Sequence, residues 1–148
     1  MRANAMIALA GAAVLAATTA GCKDKAEEIS SPSYSFGLQD KFWADCRAQL
    51  HSGSAEPNLD PLRSVWRFLK DRTARSVQRT YTGANKDQVL AALKKLQADY
   101  GATVIGKLDI MGHRVRLAGG ATLEEVRAAF DQLDPDYRAL QALVSAAK

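Results

Sequence analysis

The 148-residue sequence predicts an α+β fold in which a small three-stranded, mainly antiparallel sheet packs with about five helices. Three observations support this class. Apolar residues recur at helical spacing in several stretches, as in helices with one buried face. Strict alternation of apolar and polar residues around a tight-turn candidate, Met111-Gly112, predicts a β-hairpin. The β-prone residues between positions 76 and 82 predict a third strand.

Two helices are predicted before the sheet. Asp60 and Pro61 begin the second one, because Asp caps a helix and the missing N–H of Pro needs no partner in the first turn. The first helix covers about 38–50, and its apolar stripe consists of Leu38, Phe42, Cys46 and Leu50, with Trp43 beside them. The stripe of the second helix consists of Leu62, Val65, Trp66 and Leu69.

The middle of the chain, over about 75–133, predicts a strand–helix–hairpin–helix unit. Ser76 to Thr82 is the predicted strand, Asn85 caps the following helix, and Gly101 ends that helix in the left-handed conformation. The helix buries Val89, Leu90, Leu93, Leu96 and Tyr100. The hairpin then buries Ala102, Val104, Leu108, Ile110, Val115 and Leu117, and its other face is wet.

Two more helices are predicted at the carboxyl end. Thr122 and Glu125 have the spacing of a capping box, and Asp134-Pro135 repeats the cap-plus-proline pattern at the start of a last helix. The fold class by itself does not indicate a function, because such small α+β units occur in many unrelated proteins.

Residues 1–22 have the organisation of an export signal. Arg2 is the only charged residue before Lys23, and the apolar stretch that follows it is too short to cross a hydrocarbon core of roughly 30 Å. Small residues lead into Cys22. This segment resembles the signal peptide and lipobox of bacterial lipoproteins: Ala20, Gly21 and Cys22 match that motif, and Thr19 stands where Leu is usual.

The resemblance implies that a signal peptidase recognises Thr19, Ala20 and Gly21 and cleaves before Cys22. It also implies a diacylglycerol thioether on the Cys22 sulfur, which anchors the chain to a membrane. Lys23 follows Cys22, and in Gram-negative lipoproteins this implies the outer membrane, with the domain facing the periplasm.

Three segments are therefore expected. Residues 1–21 are the signal peptide, residues 22–36 a lipidated flexible tether, and residues 37–148 a single globular domain. If Cys22 is acylated, Cys46 has no partner for a disulfide within the chain. We expect this second cysteine to be buried.

A basic belt lies inside the domain. Residues 61–82 contain six basic residues and one acidic residue, Asp71. Arginine side chains suit phosphate and carboxylate partners. The belt is a candidate site for lipid phosphates, envelope polymers or an acidic protein, although a solvated face is the simpler interpretation. Its members are Arg63, Arg67, Lys70, Arg72, Arg75 and Arg79.

Catalytic and metal-binding patterns are not found in the sequence. His51 and His113 are the two histidines, and a helix would place His51 about 140° around from Cys46. Two distant histidines and one available cysteine do not have the ligand spacing of a zinc site. We therefore expect no enzyme activity and no cofactor besides the covalent lipid, with the membrane and an envelope protein as partners, and no nucleic acid.

These expectations favour a non-catalytic accessory or assembly subunit of a cell-envelope complex, such as secretion, conjugation or outer-membrane machinery. The alternative is a periplasmic immunity or inhibitor lipoprotein that blocks a toxin or a wall hydrolase. Both alternatives need the lipid anchor at Cys22.

Overall fold

A computed structural model describes residues 31–146, which fold into a helical bundle with one hairpin. Helix α1 is Pro32–Leu50, α2 is Asp60–Arg67 and α3 is Thr73–Thr80, with a π-helical turn, Phe68–Arg72, joining α2 to α3. Helix α4 is Lys86–Thr103, and a 3-10 turn, Ile105–Lys107, follows it. Strands β1, Leu108–Met111, and β2, Arg114–Leu117, precede α5, Leu123–Ala146.

The helices form an up–down–up–down bundle in which residues 60–80 act as one rod. At one end of the bundle, Asn85 Nδ2 donates to the carbonyl oxygen of Leu143 at 2.7 Å. At the other end, Arg127 Nε donates to the carbonyl oxygen of Leu50 at 2.6 Å. The amino end of α1 therefore lies beside the carboxyl end of α5, and the hairpin lies at the opposite end of the bundle.

An aromatic column fills the space between the four helical rods. The Trp43 ring stacks on Tyr137 with 4.1 Å between centroids, and its centroid is 4.4 Å from that of Phe130. Tyr100 continues the column towards Trp66, with parallel rings 6.2 Å apart. Trp43 is 2% exposed, and burial of such large rings supplies much of the hydrophobic stabilisation.

The hairpin is confirmed, although it is shorter than the sequence pattern suggested. Leu108 pairs with Leu117 and Ile110 with Val115, and these four side chains pack against the core. The turn is formed by Gly112, whose φ of 61° favours glycine, and His113. Exposed side chains line the other face, as predicted: Asp109, Met111, Arg114 and Arg116.

The predicted three-stranded sheet is wrong, because residues 76–80 are helical and the sheet of the described residues has two strands. Val77 and Thr80 favour strands as single residues. Extending a helix that is already formed gains one hydrogen bond per residue, however, and Ser76 and Val77 face the core. Tertiary packing therefore decides the structure of this segment.

Helix boundaries differ from the prediction at both ends of the domain. Ser31 caps α1 through a 3.2 Å hydrogen bond from the Tyr34 N–H, so residues 32–36 of the expected tether are helical and Phe36 is buried. The two helices expected at 122–133 and after 135 are one helix, α5, with Pro135 inside it on the solvent side. Its buried stripe continues through the proline without a change of phase: Val126, Phe130, Leu133, Tyr137 and Leu140.

The end of α4 also differs from the prediction. The helix continues past Gly101 to Thr103, so Ala102 and Val104 do not belong to the hairpin. Gly101 does not end the helix in the left-handed conformation. It allows another side chain to approach the helix closely instead. A Cβ atom at this position would lie 2.7 Å from Cη2 of Trp66, so only glycine lets the indole pack directly on the helix backbone.

Candidate functional site

A chain of buried polar side chains links α1, α3 and α5. Thr73 Oγ1 donates to Gln39 Oε1 at 2.7 Å, and Gln39 Nε2 donates to the Tyr137 hydroxyl at 3.5 Å. Tyr137 in turn donates to Asp40 Oδ1, which also accepts from Gln141 Nε2 at 3.0 Å. The buried polar groups satisfy one another's hydrogen bonds, and this arrangement fits a role in specifying how the helices pack.

The buried thiol and phenols stay protonated at neutral pH. Burial, with a contribution from the Asp45 charge, raises the pKa of the Cys46 thiol far above its usual value. Burial and the hydrogen bond to Asp40 raise the pKa of Tyr137, and burial raises that of Tyr100. Because the thiolate is the reactive form of cysteine, Cys46 is a structural residue, and its predicted burial is confirmed.

Asp134 is the polar anchor between α1 and α5. Its carboxylate accepts from Trp43 Nε1 at 2.9 Å, from Arg138 Nε at 2.7 Å, and from Arg47. Partial burial works to raise the pKa of Asp134, but the three hydrogen bonds outweigh it and leave the pKa below its usual value. The residue that we interpreted as a helix cap is therefore an interhelical acceptor.

Neither histidine lies in a catalytic arrangement. His51 Nε2 is 2.9 Å from Asp131 Oδ1 on an exposed edge between α1 and α5, and His113 is exposed in the hairpin turn. Within residues 31–146, no group of three or more His, Cys, Asp or Glu side chains could hold a metal ion.

The basic belt is divided between several surfaces. Arg63 belongs to the fold: its Nη1 donates to the carbonyl oxygen of Gly112 at 2.8 Å and fastens the hairpin turn to α2. Arg67 and Arg72 border a cleft against α1. Lys70 and Arg75 line a second groove, against α4. The basic belt therefore does not form one continuous surface.

The cleft against α1 combines arginine with aromatic side chains. Its volume is about 220 Å³, and Phe42 and Phe68 lie in it with 5.5 Å between their ring centroids. The Arg72 guanidinium lies over the Phe68 ring, 5.7 Å from its centroid. The cleft is lined by Leu38, Phe42, Ser64, Arg67, Phe68 and Arg72.

The groove against α4 is wider and more polar. Its volume is about 440 Å³, and Lys94 adds a third cation to Lys70 and Arg75. Arg75 is engaged locally, because its Nη2 is 3.2 Å from Asp71 Oδ1 one turn earlier. Exposed pairs of this kind contribute little to stability.

Sequence reasoning identified the cations but not their grouping. In a regular helix Arg67 and Arg72 would point about 140° apart, whereas in the π turn the Thr73 N–H bonds to the Phe68 carbonyl five residues back. The sequence carries no signal of the irregularity, because the buried Thr73 follows Leu69 by four residues, a spacing that a regular helix would also place on the buried face.

The remaining predicted residues lie elsewhere. Arg79 is exposed on α3, away from both grooves. Cys22 and the predicted recognition residues Thr19, Ala20 and Gly21 lie outside residues 31–146. Among the helices that the structure describes, none has the length and apolarity needed to span a bilayer.

The cleft beside the π turn is the candidate site on this geometry. Comparisons of the chain with protein-family models, with curated proteins and with solved structures give no match. The interpretation of the site therefore depends on the chain's own residues.

Proposed function

We propose that this protein is a lipid-anchored, non-catalytic subunit of a cell-envelope complex, held at a membrane through Cys22. The supporting observation is the small-residue run that ends in Cys22 directly after a short apolar stretch. Two acyl chains bind a bilayer stably where one chain binds marginally, so an acylated Cys22 would keep the domain at the membrane.

The arrangement of the bundle is consistent with such an anchor. Eight residues separate Cys22 from Ser31, the cap of α1, so the anchored end of the domain is the end where α1 begins. With 19 residues, α1 is about 28 Å long, and this length separates that end from the hairpin end. The sides and the hairpin end of the bundle then face potential partners.

The anchor is tested by metabolic labelling with an alkyne-bearing fatty acid. Wild-type protein should incorporate the label, and Cys22→Ser should not, because serine lacks the thiol to which the fatty-acylated glyceryl group is attached. Cys46→Ser is the matched control, since it removes the other cysteine of the chain and should leave labelling unchanged. Equal labelling of Cys22→Ser and wild type would contradict the proposed anchor.

Membership of a complex is tested separately, with the full chain in its native membrane. After mild crosslinking and gentle extraction, the protein should migrate in a species larger than a single copy of its processed chain. Migration as a monomer under these conditions would count against the accessory role, whatever the labelling result.

A further inference from the structure

We infer that the cleft between α1 and the π turn binds a protein segment that presents an apolar side chain beside one or two carboxylates. This inference deepens the proposed function, on which it rests, because it names the surface and the chemistry of the partner. It also separates Arg67 and Arg72 from the rest of the basic belt.

The shape and lining of the cleft define what fits. The cleft lies between two packed helical elements, with Leu38, Phe42 and Phe68 forming its apolar part. Phe42 packs against the core and contacts the buried Phe68 ring, so these two aromatic walls of the recess are held in place by packing. An apolar side chain inserted there would be removed from contact with water, as the central residues of protein interfaces are.

The charge of the cleft indicates that the partner places a carboxylate beside its apolar side chain. Within residues 31–146, the guanidinium groups of Arg67 and Arg72 form no ion pair with a carboxylate, whereas Arg47, Arg75 and Arg138 each have one. The Phe68 ring holds the Arg72 guanidinium from one side, which orders it without neutralising its charge. An ordered guanidinium suits a two-pronged hydrogen bond to a carboxylate.

The π turn forms one wall of the cleft. It carries Phe68 and Arg72, and its wider winding brings Arg72 closer to Arg67 than the roughly 140° separation of a regular helix. Such turns interrupt the regular hydrogen bonding of a helix and occur often at functional sites. Thr73, the residue that follows the turn, is buried and donates to Gln39 on the core side of the rod.

A protein segment fits this surface better than a bilayer. A flat membrane surface contacts protruding side chains, whereas the apolar part of this site lies in a recess between helices. Lys70 and Arg79 are exposed like Arg67 and Arg72, but they lie outside the cleft and do not share a groove. The three parts together, an aromatic floor and two unpaired arginines, match a short acidic and apolar sequence.

The test is a selection from a random 12-residue phage-displayed peptide library, against the full chain extracted from its membrane into zwitterionic nanodiscs. Enriched peptides should combine Asp or Glu with Leu, Phe or a similar apolar residue. A synthetic copy of an enriched peptide is then titrated by fluorescence anisotropy. Loss of both arginines in Arg67→Ala/Arg72→Ala should weaken binding by about tenfold or more, the value expected when charged hydrogen bonds are removed.

Two further variants make the result specific. Arg79→Ala is the matched control, since it removes an exposed arginine of the same rod outside the cleft, and it should bind like wild type. Ser64→Glu introduces a carboxylate at the cleft and should weaken binding while leaving both arginines in place. Thermal unfolding of each variant shows whether the bundle is intact, and Ser64→Glu provides the test if the double variant fails to fold.

The opposite results would overturn the inference. Enrichment of neutral or basic peptides, or equal affinity for wild type and the double variant, would contradict an acidic partner at this cleft. Arginine-dependent binding to phosphatidylglycerol vesicles, with no peptide enrichment, would assign the cleft to lipid phosphates instead. Labelling at Cys22 does not depend on the cleft, so failure here is distinguishable from failure of the proposed anchor.

Discussion

The two sides of helix α1 differ in whether their polar side chains have hydrogen-bond partners. Towards α5, the side chains of Trp43, Gln39 and Asp40 each form a hydrogen bond with a side chain of α5. Towards the π turn, α1 contributes Leu38 and Phe42 to a cleft. The two arginines of this cleft form no ion pair with a carboxylate of residues 31–146. Hydrogen bonding within the chain is thus nearly closed on one side of α1 and left open on the other.

This difference separates stability from recognition. A buried polar group without a partner destabilises the fold, so the α5 side must be fully paired. An exposed arginine remains hydrated and costs the fold little, so it can stay available for a partner. Substitutions towards α5 should therefore lower stability, and substitutions of Arg67 and Arg72 should leave stability nearly unchanged.

The largest effect is expected for Trp43→Ala. The change removes a ring that stacks on Tyr137 and also removes one donor to Asp134. The free energy of unfolding should fall by about 3–5 kcal/mol, as for other buried aromatic residues. Urea denaturation measures it, with Trp66→Ala, at a half-buried tryptophan, as the control. A smaller loss for Trp43→Ala than for Trp66→Ala would contradict the central role of the α1–α5 side.

An intermediate effect is expected for Tyr137→Phe. The ring and its stacking remain, but Gln39 and Asp40 each lose the hydroxyl with which they bond. Leaving buried groups without a partner should cost about 1–3 kcal/mol. The same urea titration measures the loss, and Tyr34→Phe, at an exposed tyrosine, should change it little. An unchanged midpoint for Tyr137→Phe would show that the network does not stabilise the bundle.

Alkaline pH should weaken the fold gradually. The pKa values of Cys46, Tyr100 and Tyr137 are raised in the folded state above usual values of 9.0 for the thiol and 10.0 for the phenols. Above pH 9 the unfolded chain releases protons that the folded chain retains, so the stability present below this pH is lost as the pH rises. Each group contributes at most about 1.4 kcal/mol per pH unit.

Unfolding free energies measured from pH 7 to pH 11 check this prediction. Cys46→Ala should remove the part of the decline that begins near pH 9, the usual pKa of the thiol, and leave the part due to the phenols. The slope with pH is compared, because the absolute stability of this variant also reflects a smaller side chain. An identical slope in wild type and Cys46→Ala would contradict the buried, protonated thiol.

The smallest effects are expected for two glycines of opposite environment. Gly37→Ala, at an open position of α1, should stabilise the protein by about 0.5–1 kcal/mol through helix propensity. Gly101→Ala has the same gain, but its Cβ meets the Trp66 ring, and such overpacking costs about 1–3 kcal/mol. Thermal unfolding should therefore move in opposite directions for the two variants, and a shift in the same direction would contradict the close packing of Trp66.

Much of the helical content was predictable because it depends on local periodicity. The stripes of α1, α2 and α4 follow from apolar spacing, and the hairpin follows from alternation around Gly112. Residues 76–80 and Pro135 misled the prediction for a shared reason. Each has a local preference against the helix. The apolar stripe of α5, which continues on both sides of Pro135, overrules the proline, and the burial of Ser76 and Val77 overrules the strand preference of residues 76–80.

The cleft was less predictable than the fold. Its arginines were identified from the sequence, but the pairing of Arg67 with Arg72 depends on a π turn that no local pattern specifies. Phe42 was assigned to a buried stripe and is only half-buried, because it also borders the cleft. A grouping that depends on how two helices meet cannot be obtained from the spacing within either one.

The amino-acid sequence by itself determined the positions of most helices and the inventory of cations, and it predicts an export leader before Cys22. These features depend on neighbouring residues and on composition. Tertiary structure alone decided that residues 60–80 form one interrupted rod, that Asp134 bridges helices, and that two of six cations meet at an aromatic cleft. The reason is that packing energy, summed over many distant contacts, exceeds the local preferences of single residues.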